Sequence, residues 1–420
     1  MSFVTVYPLG EGVLSLLFNG SLEVTEAGYT PLEKPSLFSL YPAKVVKKEE
    51  TLGGFFVELE KGGEAFLPFS HSLKTKVGEK LTVQVVRESW EGKPPRVSEK
   101  FFLPLRGCEV SLNPTGRVLF LSPIEEGERK KLLKIAKERG YRLKVRDAKE
   151  CLKGLKLFET YLRLAKEEKP FKWFHFYTQT FMAAKRVKLF TERDDILKNY
   201  REFLKTFGLN SAEAFLLTLE KLVKKFSPSL WKGFFNQKIA FEGGYLLIYE
   251  NEGLVFIDVN GNLNHYKLNL KALELIAKLL PLRKWGGLIA VDFIDLPNKP
   301  LKEKLKEAIK RRLLLLDCKG LGFTNGGLYE IVCPKRVPPI LQILQVYSPF
   351  CGCKVKSNGL LFLEIVWKLS EFTSQSVLII LHPCRKGIEK LFSNLSKGWI
   401  KVKFDPAVGV NEFKLLIGNG

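Results

Sequence analysis

The feature that most constrains the fold of this 420-residue chain is a strand–strand–helix–strand pattern in its second half. Apolar runs at 244–249, 254–259 and 286–294 are bounded by glycines and charged residues, which is typical of strands. Between the last two runs, residues 268–280 carry apolar side chains at helical spacing. A crossover of this length lets the ends of the two strands converge.

Two aspartates lie near the ends of those strands, Asp258 in the first and Asp292 in the second. Side chains alternate between the faces of a strand, so Asp258 and Asn260 point the same way. An ionised aspartate within an apolar strand needs a partner, and Mg²⁺ is a suitable one because it prefers carboxylate oxygens. Such a metal would activate water and neutralise charge on a phosphodiester, with Asn260 orienting a carboxylate or the phosphate. The alternative for each aspartate alone is a turn or a helix cap, and we assign Asp295 to a strand-exit turn.

The charge balance favours a polyanionic partner. Lys and Arg number 67 against 45 Asp and Glu, which gives a net charge of +22. A field of this sign attracts phosphates, although a solvated lysine-rich surface is the alternative. The length predicts two or more domains. We expect a cytoplasmic protein with no membrane partner, because the chain has neither a membrane-length apolar run nor a secretory signal. The seven cysteines are expected to be reduced or metal-bound rather than disulfide-bonded.

Residues 40–105 predict a small β-barrel of short strands separated by glycines and lysines. Exposed aromatic side chains on such a barrel, with Lys and Arg around them, form a stacking platform for single-stranded bases. Phe56 and Phe66 are the candidates, and the alternative is that both fill the barrel core. Helical spacing elsewhere predicts helices at 126–139, 194–206, 212–225 and 301–315.

Three motifs around the two aspartates carry a resemblance to a known family. They read GGYLLI at 243–248, LVFIDVN at 254–260 and LRKWGGLIAVDFIDL at 282–296. In order and spacing they resemble the bacterial ribonuclease E/ribonuclease G endoribonucleases, and a weaker similarity extends along nearly the whole chain. The chain is therefore identified as a member of this family.

The resemblance implies an activity and a set of site residues. Asp258 and Asp292 would hold a catalytic Mg²⁺, with Asn260 supporting them. The reaction would be hydrolysis of single-stranded RNA that leaves 5′-phosphate ends, in processing of ribosomal and transfer RNA and in messenger RNA decay. Phe56 and Phe66 would contact RNA, and Lys93 aligns with a basic RNA-contacting position.

The resemblance also implies the domain organisation of a multidomain α+β protein. A ribonuclease H-like domain would be split by two insertions, and a catalytic domain of the DNase I-like type would follow. The expected segments are 1–39 with 170–235 for the split domain, 40–105 for an OB-fold RNA-binding barrel, 106–169 for a 5′-sensor-like domain, 236–345 for the catalytic domain, 346–355 for a zinc-link-like segment and 356–420 for a small C-terminal domain.

The chain departs from the family at the pocket that senses a 5′-monophosphate. Arg146 supplies the family's arginine and remains a candidate RNA-binding residue, but Asp147 stands where a hydroxyl is expected. A carboxylate repels a phosphate and donates no hydrogen bond while ionised. Arg146 as an ordinary surface cation is the alternative.

A second departure concerns the thiolates through which two family subunits share a zinc ion. Ser348 replaces the first cysteine, while Cys351 is present and Cys353 adds a thiol. One alternative is a shared structural Zn²⁺ through Cys351 and Cys353 in a homodimer or higher homo-oligomer. The other is reduced thiols without metal. Near the catalytic motif, His265 is expected to be a loop residue rather than a general base.

A rival interpretation comes from a different class of function. These departures would also fit an RNA-binding or RNA-chaperone protein of the same fold whose cleavage is weak or lost. The presence of Asp258, Asn260 and Asp292 together argues against that rival. A nuclease directed at DNA is a third interpretation, and it rests only on charge and metal.

Overall fold

A computed structural model of the chain describes residues 1–9, 11–90, 92–183, 186–227, 232–251, 253–347, 354–371, 376–392 and 400–418. It is a mixed α+β structure with several sheets and one closed barrel, as the sequence predicts. Within the described residues, we find no helix with the length and apolar character needed to span a membrane.

The first hundred residues form three antiparallel strands and then the closed barrel. The first three strands are β1 (Ser2–Leu9), β2 (Gly12–Phe18) and β3 (Val24–Pro31). The barrel strands are β4 (Leu40–Glu49), β5 (Gly54–Leu59), β6 (Gly63–Pro68), β7 (Lys80–Arg87) and β8 (Arg96–Ser98), which close in the order β4-β5-β6-β8-β7. A short 3-10 helix, Phe69–His71, follows β6. The barrel has a core of its own because alternate residues of its strands point inward.

The next region is a four-stranded sheet with two helices. Its elements are β9 (Phe102–Leu105), β10 (Cys108–Leu112), β11 (Arg117–Phe120), α1 (Glu126–Arg139), β12 (Tyr141–Val145) and α2 (Ala148–Lys166). The strand order is β11-β12-β10-β9, so this sheet begins at Phe102, a few residues before the expected boundary. The predicted helix at 126–139 is confirmed, and it ends at Gly140, which adopts a left-handed φ of 63°.

The chain then returns to the first sheet. The elements of this return are α3 (His175–Met182), β13 (Val187–Thr191), α4 (Asp194–Phe207), β14 (Ala212–Leu216), α5 (Leu219–Lys225) and a 3-10 helix (Lys232–Phe235). The completed five-stranded sheet has the order β14-β13-β1-β2-β3, with β13 parallel to both β1 and β14. One sheet therefore joins the two ends of the expected split domain, while its ribonuclease H-like type stays a prediction.

The predicted helix at 212–225 is wrong in its first half. Residues Ala212–Leu216 form β14, whose backbone pairs in parallel with β13 from Val187 to Thr191. The helix begins only at Leu219, after Thr218 caps it by accepting a hydrogen bond from the Lys221 backbone N–H. Pairing at the edge of an existing sheet overrides the helical propensity of this alanine- and leucine-rich stretch.

The three strands of the strand–strand–helix–strand pattern belong to a six-stranded sheet. Its elements are β15 (Lys238–Phe241), β16 (Gly244–Glu250), β17 (Leu254–Gly261), α6 (His265–Arg283), β18 (Gly287–Asp292), α7 (Lys299–Leu314), β19 (Lys319–Phe323) and β20 (Tyr329–Cys333). The strand order is β15-β16-β17-β18-β20-β19. β17 and β18 are parallel neighbours joined by α6, and α6 and α7 share a core with one face of the sheet.

Residues at the carboxyl end add a second small sheet. The elements are α8 (Ile340–Leu344), β21 (Gln345–Tyr347), β22 (Lys354–Lys356), α9 (Asn358–Leu369), β23 (Ser376–Leu381), a 3-10 helix (Pro383–Arg385), α10 (Glu389–Phe392), β24 (Ile400–Phe404) and β25 (Phe413–Gly418). The sheet order is β24-β23-β25, and α9 packs into the same core as α6. The expected zinc-link residues Ser348, Cys351 and Cys353 lie outside the described residues.

The expectation that the cysteines form no disulfide is wrong for one pair. Cys318 directly precedes β19 and Cys333 ends β20, and the two are bonded. These strands are antiparallel neighbours, which brings the two Cα atoms to 4.4 Å. The two cysteines are 15 residues apart in the sequence. This spacing alone does not predict the bond, which depends on the pairing of β19 with β20. Among the described cysteines, Cys108, Cys151 and Cys384 carry free thiols.

A buried group of charges fixes helix α6 on the first sheet. The Lys284 ammonium, at the end of α6, donates to Glu26 Oε1 on β3 at 2.6 Å, and His175 Nε2 lies 2.9 Å from the same oxygen. Burial alone would raise the pKa of Glu26, but the charge of Lys284 and the contact with His175 outweigh it and lower that pKa to about 2. The carboxylate is therefore ionised at neutral pH and holds the crossover helix in place.

Candidate active site

The two aspartates singled out by the sequence are direct neighbours in the structure. β17 and β18 run in parallel, and their register places Asp258 opposite Asp292. Adjacent strands lie about 4.8 Å apart, so both carboxylates leave the same face of the sheet side by side. Asp292 is the last residue of β18, and the chain leaves the sheet directly after it.

Asn260 supports this pair in the way its strand position predicts. Its Nδ2 donates a hydrogen bond to Asp258 Oδ2 at 2.8 Å, which fixes the orientation of the carboxylate. Both side chains are half-buried. The site thus presents two carboxylates and one amide oxygen, which are the hard oxygen donors that Mg²⁺ accepts.

The electrostatics of the pair favour a cation. Partial burial, the neighbouring Asp258 carboxylate and the more distant Asp295 carboxylate together raise the pKa of Asp292 above its usual value. Two like charges at this spacing repel unless a positive ion lies between them. Over the described part of the chain, no group of three or more His, Cys, Asp or Glu side chains forms a metal cluster. A site with two carboxylates suits Mg²⁺, which keeps several waters and binds substrate phosphates.

Asn269 is a site residue that the sequence reasoning did not single out. It is fully buried on α6, where Nδ2 donates to the Ile294 carbonyl at 2.8 Å and Oδ1 accepts from the Ile294 N–H at 3.1 Å. These two bonds fix the backbone two residues beyond Asp292. The available signal was an amide on the apolar face of the predicted helix, between Leu268 and Ala272.

Asp295 and His265 lie beside the pair without joining it. The Asp295 side chain is 96% exposed and contacts Lys302 at 3.7 Å, and the strand ends before it, as predicted. Its backbone carbonyl lies 2.8 Å from His265 Nδ1. His265 is the first residue of α6 rather than a loop residue, and its contact with this carbonyl ties the helix start to the segment that follows β18.

Phe56 and Phe66 lie on the outside of the barrel. They are cross-strand partners on β5 and β6, their ring centroids are 5.5 Å apart, and both are half-exposed. The barrel core instead uses their neighbours Phe55, Val57 and Leu67, so the alternative that Phe56 and Phe66 fill the core is wrong. Their contact with RNA stays a prediction.

Two exposed basic residues, Arg96 and Lys93, lie at and just before β8. Arg96 is the register partner of Phe66, and it is exposed. Lys93 is also exposed, and its backbone pairs with Trp90. An exposed cation beside an aromatic pair makes a surface of the kind that binds single-stranded nucleic acid, and the role of Lys93 stays a prediction.

Arg146 and Asp147 are both engaged in structural contacts. Arg146 Nη1 donates to the Leu315 carbonyl at 3.1 Å, beyond the end of α7. Asp147 caps α2 by accepting the Glu150 backbone N–H at 3.0 Å. The carboxylate that replaces the expected hydroxyl thus has a local role, and the binding of RNA by Arg146 stays a prediction.

Comparison with known proteins assigns the segment that holds this site. Residues 169–335 match the model of the ribonuclease E/G family. A chloroplastic ribonuclease E/G-like protein of Arabidopsis thaliana is 36% identical over 126 residues, which cover 26% of this chain and 12% of the relative. Ribonuclease G of Escherichia coli is 30% identical over 120 residues, 26% of this chain and 24% of that protein. Ribonuclease E of Escherichia coli is 28% identical over 144 residues, 31% of this chain and 13% of that protein.

The family segment includes both aspartate-bearing strands and the helix between them. Residues 169–335 are thus similar to the ribonuclease E/G family. The matched stretches cover less than a quarter of the length of these relatives.

Proposed function

We propose that this protein is a Mg²⁺-dependent endoribonuclease that hydrolyses single-stranded RNA. The observation that carries the proposal is the register of Asp258 opposite Asp292, inside the segment that matches the family. The net charge of +22 supports a nucleic acid as the substrate.

In this proposal each residue of the site has a defined task. Asp258 and Asp292 supply the oxygens that hold the ion, and Asn260 keeps the Asp258 carboxylate turned towards it. The bound ion supplies an activated water and neutralises charge on the phosphodiester. Water attacks the phosphorus atom, and the bond between phosphorus and the O3′ atom breaks. One fragment then ends in a 3′-hydroxyl and the other begins with a 5′-phosphate.

The rest of the chain would hold the RNA strand. Phe56 and Phe66 would stack on bases, and Lys93 and Arg146 would bind phosphates. We also propose that the protein acts in processing of ribosomal and transfer RNA and in messenger RNA decay. The same proposal includes a homo-oligomer with a zinc ion shared through Cys351 and Cys353. The cytoplasmic location stays a prediction.

The test uses the purified full chain and an unstructured RNA closed into a circle, which lacks ends and reports internal cleavage alone. We expect linear products in Mg²⁺, none in excess EDTA, and recovery when Mg²⁺ is restored. A DNA circle of the same sequence is the control and is expected to stay intact. Cleavage that persists in EDTA would overturn the metal assignment. RNA bound tightly without product in Mg²⁺ or Mn²⁺ would establish the RNA-binding alternative instead.

Truncation of Asn260 is expected to weaken the use of metal more than the binding of RNA. Loss of an outer hydrogen bond to a metal-binding carboxylate costs about 10- to 100-fold in metal affinity or activity. Asn260→Ala should therefore raise the Mg²⁺ concentration for half-maximal cleavage by about that factor. Asn262→Ala, an exposed asparagine two residues on, is the control and should change it by less than about threefold. Equal Mg²⁺ requirements in the two variants would contradict the role of Asn260.

A further inference from the structure

The two faces of the six-stranded sheet differ in what covers them. One face packs against α6 and α7, and the side chains that point to it are buried. The other face carries Asp258, Asn260 and Asp292 together with apolar and aromatic side chains that are exposed or half-exposed. These apolar and aromatic residues are Tyr245, Leu247, Tyr249, Leu254, Phe256, Leu288 and Val332. We call this surface the open face.

Tyr245 is the aromatic residue of the open face that stands directly beside Asn260. On β16 it stands directly opposite Asn260 of β17, and Leu247 stands opposite Asp258. Directly opposed side chains have Cβ atoms about 5 Å apart on the same face. Since Asn260 is hydrogen-bonded to Asp258, the Tyr245 ring is separated from the first carboxylate by one side chain.

A cation accompanies this ring. Lys238 lies on the edge strand β15, is exposed, and places its ammonium nitrogen 3.9 Å from the centroid of the Tyr245 ring. This distance is well inside the range of a cation–π contact. An exposed lysine on a half-exposed ring combines a π-face with a positive charge, which are the two features that a nucleotide recognises.

We propose that Tyr245 and Lys238 form a nucleotide subsite, in which the ring stacks on a base next to the scissile phosphate and the ammonium binds a backbone phosphate. The inference rests on the proposed function, because it assigns the substrate's path at the same site. It adds a contact on the catalytic sheet itself to those expected on the barrel.

Charge decides between RNA and an apolar occupant of the open face. A partner that covered this end of the sheet with apolar side chains would bury Asp258, Asp292 and Lys238 without compensating groups, which is costly. A single-stranded RNA presents a base to Tyr245, a phosphate to Lys238 and, with a bound cation, a phosphate to the aspartates. Asp258, Asp292 and Lys238 then each have a partner.

The test measures binding without cleavage. A short single-stranded RNA with a terminal fluorophore is titrated with the full chain in EDTA, and one abasic residue is then moved through each position in turn. With the wild type, we expect the abasic residue at one position to weaken binding about 5- to 100-fold, the contribution of one stacked base. Tyr245→Ala should lose the sensitivity at that position alone, while Tyr245→Phe should keep it.

Tyr249→Ala is the matched control. Tyr249 lies on the same strand and the same face, but it stands opposite Phe256 rather than Asn260. Its removal should leave the abasic profile of the wild type unchanged. Lys238→Gln should weaken binding at low salt and reduce the salt dependence by about one phosphate contact, without changing the profile.

Three outcomes would overturn the subsite. The first is an abasic profile that is the same in Tyr245→Ala and the wild type, with RNA still bound. This leaves the endoribonuclease proposal standing. The second is a Tyr245→Ala variant whose subunit number in sedimentation differs from that of the wild type while its abasic profile is unchanged. This would assign the open face to a second copy of the chain. The third is failure of the wild type to bind RNA at all, which would reject the subsite and the proposed function together.

Discussion

Replacement of Asp292 by asparagine is expected to lower the rate of RNA cleavage by about 10²- to 10³-fold, the cost of losing one electrostatic contact to the reacting group. The substitution keeps the size of the side chain and removes one of the two negative charges that would hold the cation. It also relieves the repulsion that raises the pKa of Asp292, so the fold should be no less stable. The measurement is single-turnover cleavage at saturating RNA and Mg²⁺.

Asp295→Asn provides the control for this prediction. It removes the same charge three residues later, from a carboxylate that is 96% exposed and forms an ion pair with Lys302. Its effect on the cleavage rate should stay below about threefold, as for most surface substitutions. RNA binding in EDTA should be unchanged in both variants, because neither residue would contact RNA directly. An Asp292→Asn protein that cleaves at the wild-type rate would reject the metal site.

The part of this site that the sequence predicts is the part that follows from strand geometry. The alternation of side chains along a strand grouped Asp258 with Asn260, and the helix-length crossover predicted that Asp258 and Asp292 converge. The structure places all three residues together. Parity alone left open which residues of β16 stand beside them. The register of β16 on β17 decides that, and it is what places Tyr245 opposite Asn260.

The features that the sequence did not predict depend on contacts between distant segments. β14 is a strand because β13 is available to pair with it, although its residues favour a helix. Cys318 and Cys333 are bonded because two strands meet at their ends. The outward position of Phe56 and Phe66 required the barrel's register, since each has an apolar neighbour that could equally have faced solvent.

The helix between the two aspartate-bearing strands would also link stability to the proposed function. Lys284 anchors its end to Glu26 of the first sheet, and Asn269 in its second turn holds the segment that follows Asp292. The position of Asp292 is thus fixed from two directions, by pairing with β17 before it and by Asn269 after it. A substitution in this helix should therefore change the position of the carboxylate pair, even when the substituted residue does not contact the pair.

Asn269→Leu is expected to lower both stability and cleavage. Leucine has a similar volume, so the packing of α6 is kept while both hydrogen bonds to Ile294 are lost. Leaving two backbone groups without partners costs about 2–6 kcal/mol, at about 1–3 kcal/mol for each group. The apparent melting temperature should fall by roughly 5–10 °C. The cleavage rate should fall about 10- to 100-fold, because the backbone after Asp292 is no longer fixed.

Asn298→Ala separates the two effects of that substitution. Asn298 caps α7 by accepting the Leu301 backbone N–H at 3.0 Å, and its loss costs about 1 kcal/mol without touching Ile294. It should lower the melting temperature and leave the cleavage rate within about threefold of the wild type, as for substitutions away from the site. Cleavage measured well below both melting temperatures then reports positioning alone. If Asn269→Leu is destabilised but cleaves as fast as Asn298→Ala, the amide stabilises the fold without positioning Asp292. A tenfold or larger gap in rate between the two variants establishes that the buried amide of α6 holds the catalytic strand end in place.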